Sequence, residues 1–133
     1  MSFNRALADV GGFDQKGRPG FGWLAHLNPA SDATDAAATI SAAEMAGGLY
    51  IRSGITAGRI DTSDTAANIL AANPEMDIGD SFILAVSNQS AQSLTLAGGT
   101  GVTASGNLVV LTLTCKFVVF TKTSATTMTM VAL

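Results

Sequence analysis

From residue 94 to residue 133, apolar side chains alternate with Thr or Ser, and only glycine-rich turns interrupt the alternation. A period of two belongs to β-strands, whose successive side chains point to opposite faces. Residues 81–86 set Phe82, Leu84 and Val86 against Ile83 and Ala85, and residues 93–97 set Leu94 and Leu96 against Ser93 and Thr95. Asn88-Gln89-Ser90 reads as a polar turn, Gly98-Gly99-Thr100-Gly101 as a tight hairpin turn, and Ser105-Gly106-Asn107 as a third. Residues 108–122 form either one long bent strand or two strands in series. Thr123-Ser124-Ala125 then turns the chain into a last strand at 126–132, with Met128 and Met130 on one face.

Upstream, residues 49–55 alternate Leu49, Ile51 and Ser53 with Tyr50 and Arg52, predicting another strand. A capped helix is predicted in DTSDTAANILAANP. Ser63 or Asp64 accepts the free amide hydrogens of its first turn, Ile69 and Leu70 form its apolar edge, and Pro74 forces Asn73 out of the α region. A second short helix is suggested by the alanines of residues 36–47, stopped by Gly47-Gly48.

Short strands separated by turns predict a mainly β fold: a small antiparallel β-sandwich or barrel with one short helix. Residues 1–46 differ, being rich in Gly, Pro, Asp and Ala with no sustained period. They are expected to form an extended N-terminal arm that orders on contact, leaving residues 47–133 as the β-rich oligomerising domain. Phe3, Phe13, Phe21 and Trp23 are set singly along the arm, where isolated aromatics suit a neighbour's pockets. With Arg18 they are the candidate docking residues, and Arg5, Lys16 and Arg18 together suit an acidic protein surface.

Composition sharpens this picture. The chain is 47% hydrophobic and only 13% charged, against about 25% charged in an ordinary domain. No apolar run reaches the roughly 18–20 residues of a spanning helix, so no membrane partner is expected. The first residues lack the continuous apolar stretch of a secretory signal. Excess apolar surface without a membrane implies burial against other copies or another protein. Residues 81–133 show apolar side chains in both strand phases, so one phase is expected to meet a neighbour. Val118, Phe120, Met128 and Met130 are the candidate interface residues. Net charge is −3 and the seven basic residues form no stripe, which disfavours nucleic acid.

Catalytic chemistry is thinly represented. The one histidine, His26, has no nucleophile set near it in sequence. The single cysteine excludes an internal disulfide, and Cys115 falls in phase with Leu111, Leu113, Phe117 and Val119, predicting a small buried hydrophobe. Glu75, Asp77 and Asp80 lie near a glycine as in part of a cation loop, but without calcium-loop spacing they read as a solvated turn. The Gly98–Gly101 run is followed by strand-like sequence and has no lysine near it, unlike a phosphate loop. Neither enzymatic activity nor a metal or other cofactor is expected.

Residues 62–133 resemble the small decoration, cement or head-fibre proteins of tailed phages. The likeness rests on DTAANILAANPEMDIGDSFILAVSNQSAQSLTLAGGTGVTASGN followed by CKFVVFTKTSATTMTMV. It is carried by the capped TAANIL helix, IGDSF opening a strand, LTLAGGTGVT, the GN turn, and Lys116-Phe117 on a later strand. The resemblance implies a β-rich homotrimer that binds the major capsid protein on the outer surface of the mature head. Such a protein is made in the host cytoplasm and is non-enzymatic. A tail-fibre or receptor-binding module, or a minor head or connector protein, is the alternative virion role.

Overall fold

The computed structural model describes residues 27–133. Ten strands form two sheets. In chain order the elements are β1 (Ala30–Asp32), β2 (Ala38–Ile40), α1 (Ala42–Ala46), β3 (Leu49–Arg52), β4 (Arg59–Ser63), α2 (Ala66–Ala72), β5 (Ser81–Asn88), β6 (Leu94–Ala97), β7 (Val102–Gly106), β8 (Val109–Val110), β9 (Thr114–Lys122) and β10 (Met128–Ala132). The larger sheet has the order β1-β3-β5-β9-β10-β7 and the smaller β2-β4-β6-β8.

The chain does not meander. Through its first six strands it alternates between the sheets, so β1, β3 and β5 pair in parallel in one and β2, β4 and β6 in the other. Parallel neighbours need a long crossover, and here a strand of the opposite sheet supplies part of each one. β9 then pairs antiparallel with both β5 and β10, β8 pairs antiparallel with β6, and β7 closes the large sheet parallel to β10. The architecture is therefore mainly β with mixed sheets, which corrects the antiparallel expectation. Alternation within a strand reports which faces are covered. It does not report which strand lies alongside.

Both sheets and both helices feed one core. The large sheet contributes Tyr50, Leu84, Val86, Val118, Phe120, Met128 and Met130, and the small one Ile40, Leu94, Leu96 and Val110. Met45 comes from α1, and Ala66 and Ile69 from α2. Phe82 stacks on Phe120 with ring centroids 5.2 Å apart. Each large side chain so enclosed contributes about 1.5–3 kcal/mol.

Three boundaries move from expectation. Of the segment 36–47, residues Ala38–Ile40 are strand, and the helix begins only after Ser41, which caps it in a reciprocal box with Glu44. The cap of α2 is Thr65, whose hydroxyl accepts from the Asn68 amide, while Asn73 leaves the helical region before Pro74 as predicted. The described protein thus has two helices where the fold class allowed one. Residues 30–46 do not belong to an arm. They supply β1, β2 and α1 together with buried Ile40 and Met45. An alanine-rich stretch too short to show a period can still be held by its neighbours.

The Gly98–Gly101 turn also differs from the expected hairpin, because it carries the chain from β6 in the small sheet to β7 at the far edge of the large one. A Cβ on Gly99 would lie 2.5 Å from the Ser63 carbonyl oxygen and 2.6 Å from that of Asp64. Glycine is needed there for close approach. Residues 108–122 resolve into two strands in different sheets, joined at Leu111–Leu113. Leu113 adopts φ 56°, the left-handed region, with 73% of its surface exposed. Among the described residues no helix is long and apolar enough to cross a membrane.

Candidate interaction surface

The densest polar chemistry is sealed inside the molecule. Tyr50 and Arg52 project inward from β3, and Asp61 projects inward from β4 of the other sheet; all three are fully enclosed. Asp61 Oδ2 accepts from Arg52 Nε at 2.8 Å and from the Tyr50 hydroxyl at 3.0 Å, and its Oδ1 accepts from the Ala38 amide at 3.1 Å. Of the other guanidinium nitrogens, Nη1 and Nη2 donate to carbonyl oxygens of Asp32, Thr34 and Ala36, Nη2 also donates to Asp61 Oδ1 at 3.4 Å, and Nη1 lies 3.3 Å from the Asp32 carboxylate. Burial pushes the Tyr50 phenol far above its usual range, and the Asp61 carboxylate beside it adds to the rise. The carboxylate of Asp32 is held below the usual range, chiefly by the Thr34 amide. Every donor and acceptor in the cluster points at protein, so it ties β3, β4 and the 32–36 loop together.

A second carboxylate joins the helices. Asp64 accepts from the Ala42 amide at the start of α1, and from the Thr65 amide and the Asn68 side chain at the start of α2. Desolvation raises its pKa, but these donors outweigh it and the net shift is downward. On the surface, Asp35 accepts from both the amide and the hydroxyl of Thr56 and from Arg59, and these hydrogen bonds pull its carboxyl well below the ordinary range. Asn88, also enclosed, fixes the 88–92 turn. Its amide donates to the carbonyls of Gln92 and Val110, and its oxygen accepts from Ser90. These groups are occupied in holding loops.

Glu75, Asp77 and Asp80 are exposed, and the Asp77 amide donates to Asp80. Among the described residues no group of three His, Cys, Asp or Glu is placed to hold a metal ion.

The surface feature that stands apart is the outer face of the six-stranded sheet. Register places Leu49, Ala85 and Phe117 in one cross-strand row and Ile83, Val119 and Val131 in the next. Ser81, Thr121, Thr129 and Thr103 form a hydroxyl row along one side, and Ile51, Ser87 and Cys115 flank the other. Ile83 keeps 39% of its surface exposed and Phe117 47%. Among the described residues, no charged side chain lies in the outward phase of these strands.

This placement reverses the expected interface phase. Val118, Phe120, Met128 and Met130 are buried within a single chain and have no surface to offer a neighbour. Their in-phase partners across β9 and β10 fill the core, and the residues between them face outward. Cys115 is exposed, a correction to the buried reading, because its phase points away from the core. Phe3, Phe13, Arg18, Phe21, Trp23 and His26 lie outside the described residues. The buried cluster was missed in sequence, where Arg52 and Asp61 look like ordinary surface charges on alternating strands. The one signal was Tyr50 and Arg52 sharing a phase. Comparison with known proteins finds no family model, no curated protein and no solved structure that matches this chain.

Proposed function

We propose that this chain is a capsid decoration protein, a non-enzymatic virion component that binds the outer surface of a mature phage head and stabilises it as a homotrimer. The observation that carries the reading is the charge-free outer face of the six-stranded sheet, which suits a protein built to assemble. The likeness of residues 62–133 to decoration proteins supplies the virion setting and the number three. In this reading the two sheets stack as a sandwich, supported by the core they share and by the Arg52–Asp61 pair between them. Residues 1–26, with Phe3, Phe13, Arg18, Phe21 and Trp23, reach the major capsid protein. Binding the assembled shell better than its dissociated subunits stabilises the shell by linkage.

Co-sedimentation of purified protein with expanded, emptied heads of its own virus tests this. Saturable binding at a copy number matching the capsid lattice is expected, and Trp23→Ala should weaken it by about 2 kcal/mol or more, as buried interface tryptophans do. Absence of binding to heads, or a copy number matching only a tail or portal, would overturn the reading.

A further inference from the structure

We infer that in the free protein the stretch leading into β1, residues 19–26, lies across the outer face of its own six-stranded sheet. This goes beyond the capsid contact proposed for residues 1–26 and does not rest on it. The face is not bare. Phe117, at the centre of one apolar row, already has a partner, and Ala85 beside it is only 5% exposed although its strand phase is outward.

The matching chemistry is in the sequence. Residues 19–26 read PGFGWLAH, with Phe21, Trp23 and Leu24 and no Asp, Glu, Lys or Arg. The charged residues of the N-terminal region, Arg5, Asp9, Asp14, Lys16 and Arg18, all precede this stretch. Burying large apolar side chains is favourable by about 1.5–3 kcal/mol each, and a neutral apolar face accepts them without desolvating an ion.

The chain also enters at the right place. The Asn28 amide donates to the Gly47 carbonyl at 2.8 Å, and the Gly48 carbonyl accepts from the Ala85 amide at 3.0 Å. Residue 27 is thereby fixed at the β1 edge, level with the apolar rows and two strands, about 10 Å, from β5. In extended form Trp23 lies within about 13 Å of residue 27 and Phe21 within about 20 Å, enough to reach β5 and β10 respectively.

Size selects a tethered segment over a separate partner. Six strands about 4.8 Å apart span about 24 Å and five residues of strand rise about 17 Å, a footprint on the order of 400 Å². That is about half of what each side of a standard interface contributes. A free partner has to offset its lost translational and rotational freedom from this area. A segment joined to the sheet at residue 27 loses little of either. Engaging a capsid with the same aromatics would lift the segment, so the two contacts compete.

Trp23 is the only tryptophan and Cys115 the only cysteine, and Cys115 is exposed on this face, so the full chain carries its own reporter pair. In the folded protein Trp23 emission should shift to the blue and acrylamide quenching should fall severalfold relative to the denatured chain. A nitroxide attached to Cys115 should remove most of that emission. Labelled Trp23→Phe protein, refolded together with unlabelled protein, should leave the emission intact, because the contact lies within one chain. Val119→Asp and Ile83→Asp should return Trp23 to water with the circular dichroism signal retained. Ile60→Asp, on the other sheet and 53% exposed in the original protein, should not. Should both sheet variants fail to fold, the nitroxide measurements on the unaltered sheet decide the matter. Free quenching of Trp23 by acrylamide in the folded protein overturns the inference. So does a shielded Trp23 untouched by the nitroxide, which places it elsewhere, and so does quenching between copies, which makes the cover a neighbour's.

Discussion

Arg52 Nε lies 2.8 Å from Asp61 Oδ2, with both side chains fully enclosed and the two residues on strands of different sheets. A pair in that position decides how the sheets are set against each other. Removing one partner leaves the other charge buried without compensation, which costs about 3–5 kcal/mol. Arg52→Ala and Asp61→Ala are each expected to lower stability by that amount in urea unfolding. The double variant should lose far less than the sum, because the second change removes the stranded charge. Additive losses would show that the pair does not act as a unit.

Tyr50 shares the same carboxylate, and its raised pKa sets an alkaline limit. The folded protein holds the phenolic proton more tightly than the unfolded chain does. Stability from this group is therefore complete below the unfolded value of about 10 and is lost as pH climbs above it. Since Tyr50 is the only tyrosine, tyrosinate absorbance reads it without ambiguity. Its ionisation should coincide with loss of the folded circular dichroism signal. Titration near pH 10 with the fold intact would contradict the enclosed hydroxyl.

Asp64 gives the opposite limb. Its folded pKa is depressed, so its contribution is present above the unfolded value of about 3.9 and disappears as pH falls below it. Asp64→Asn should cost about 1 kcal/mol at neutral pH, the scale of a helix cap. The difference between the two proteins should shrink as pH is lowered from neutral toward 3, because the unfolded chain then takes up the proton that the folded carboxylate resists. Denaturation midpoints at the two pH values measure this, and a constant difference would argue that shape, rather than charge, matters at this position.

Gly99→Ala places a methyl group against two carbonyl oxygens of the β4–α2 junction. Backbone atoms cannot step aside as a flexible side chain can, so the expected loss is about 1–3 kcal/mol. Gly58→Ala serves as the control, its nearest neighbour being the Ser93 carbonyl oxygen at an ordinary 3.8 Å. A change in thermal midpoint no larger for Gly99→Ala than for the control would remove the close-packing explanation.

What was legible in the sequence followed from local physics. The α2 helix, its stop before Pro74 and the inward phases of β5 and β6 come from capping, proline sterics and period two, all of which act within a few residues. The parallel ladders were not legible, because Tyr50 pairs with Val86 and Ala38 with Asp61, and nothing local encodes such partners. β1, β2 and β4 are three to five residues long, too short for alternation to emerge. β9 is apolar in both phases, so the sequence could not say that Val118 and Phe120 turn inward and Phe117 and Val119 outward. That choice depends on the second sheet covering one side, and it moves the candidate interface to the opposite phase.

The fate of the N-terminal region separates the two domain boundaries most sharply. Deleting residues 1–46 removes Ile40 and Met45 from the core, and losses of this kind run to about 2–5 kcal/mol per large side chain. It also strips Arg52 of the Asp32, Thr34 and Ala36 carbonyls and Asp61 of the Ala38 amide, leaving unpaired polar groups where water had been excluded. Against a total stability of about 5–15 kcal/mol for a domain of this size, these losses are more than residues 47–133 can absorb. That fragment should show no cooperative transition in urea, whereas residues 27–133 retain every strand and helix described and should unfold in a single step. Cooperative unfolding of the shorter fragment would restore the boundary at residue 46 and make β1, β2 and α1 dispensable decoration on the fold.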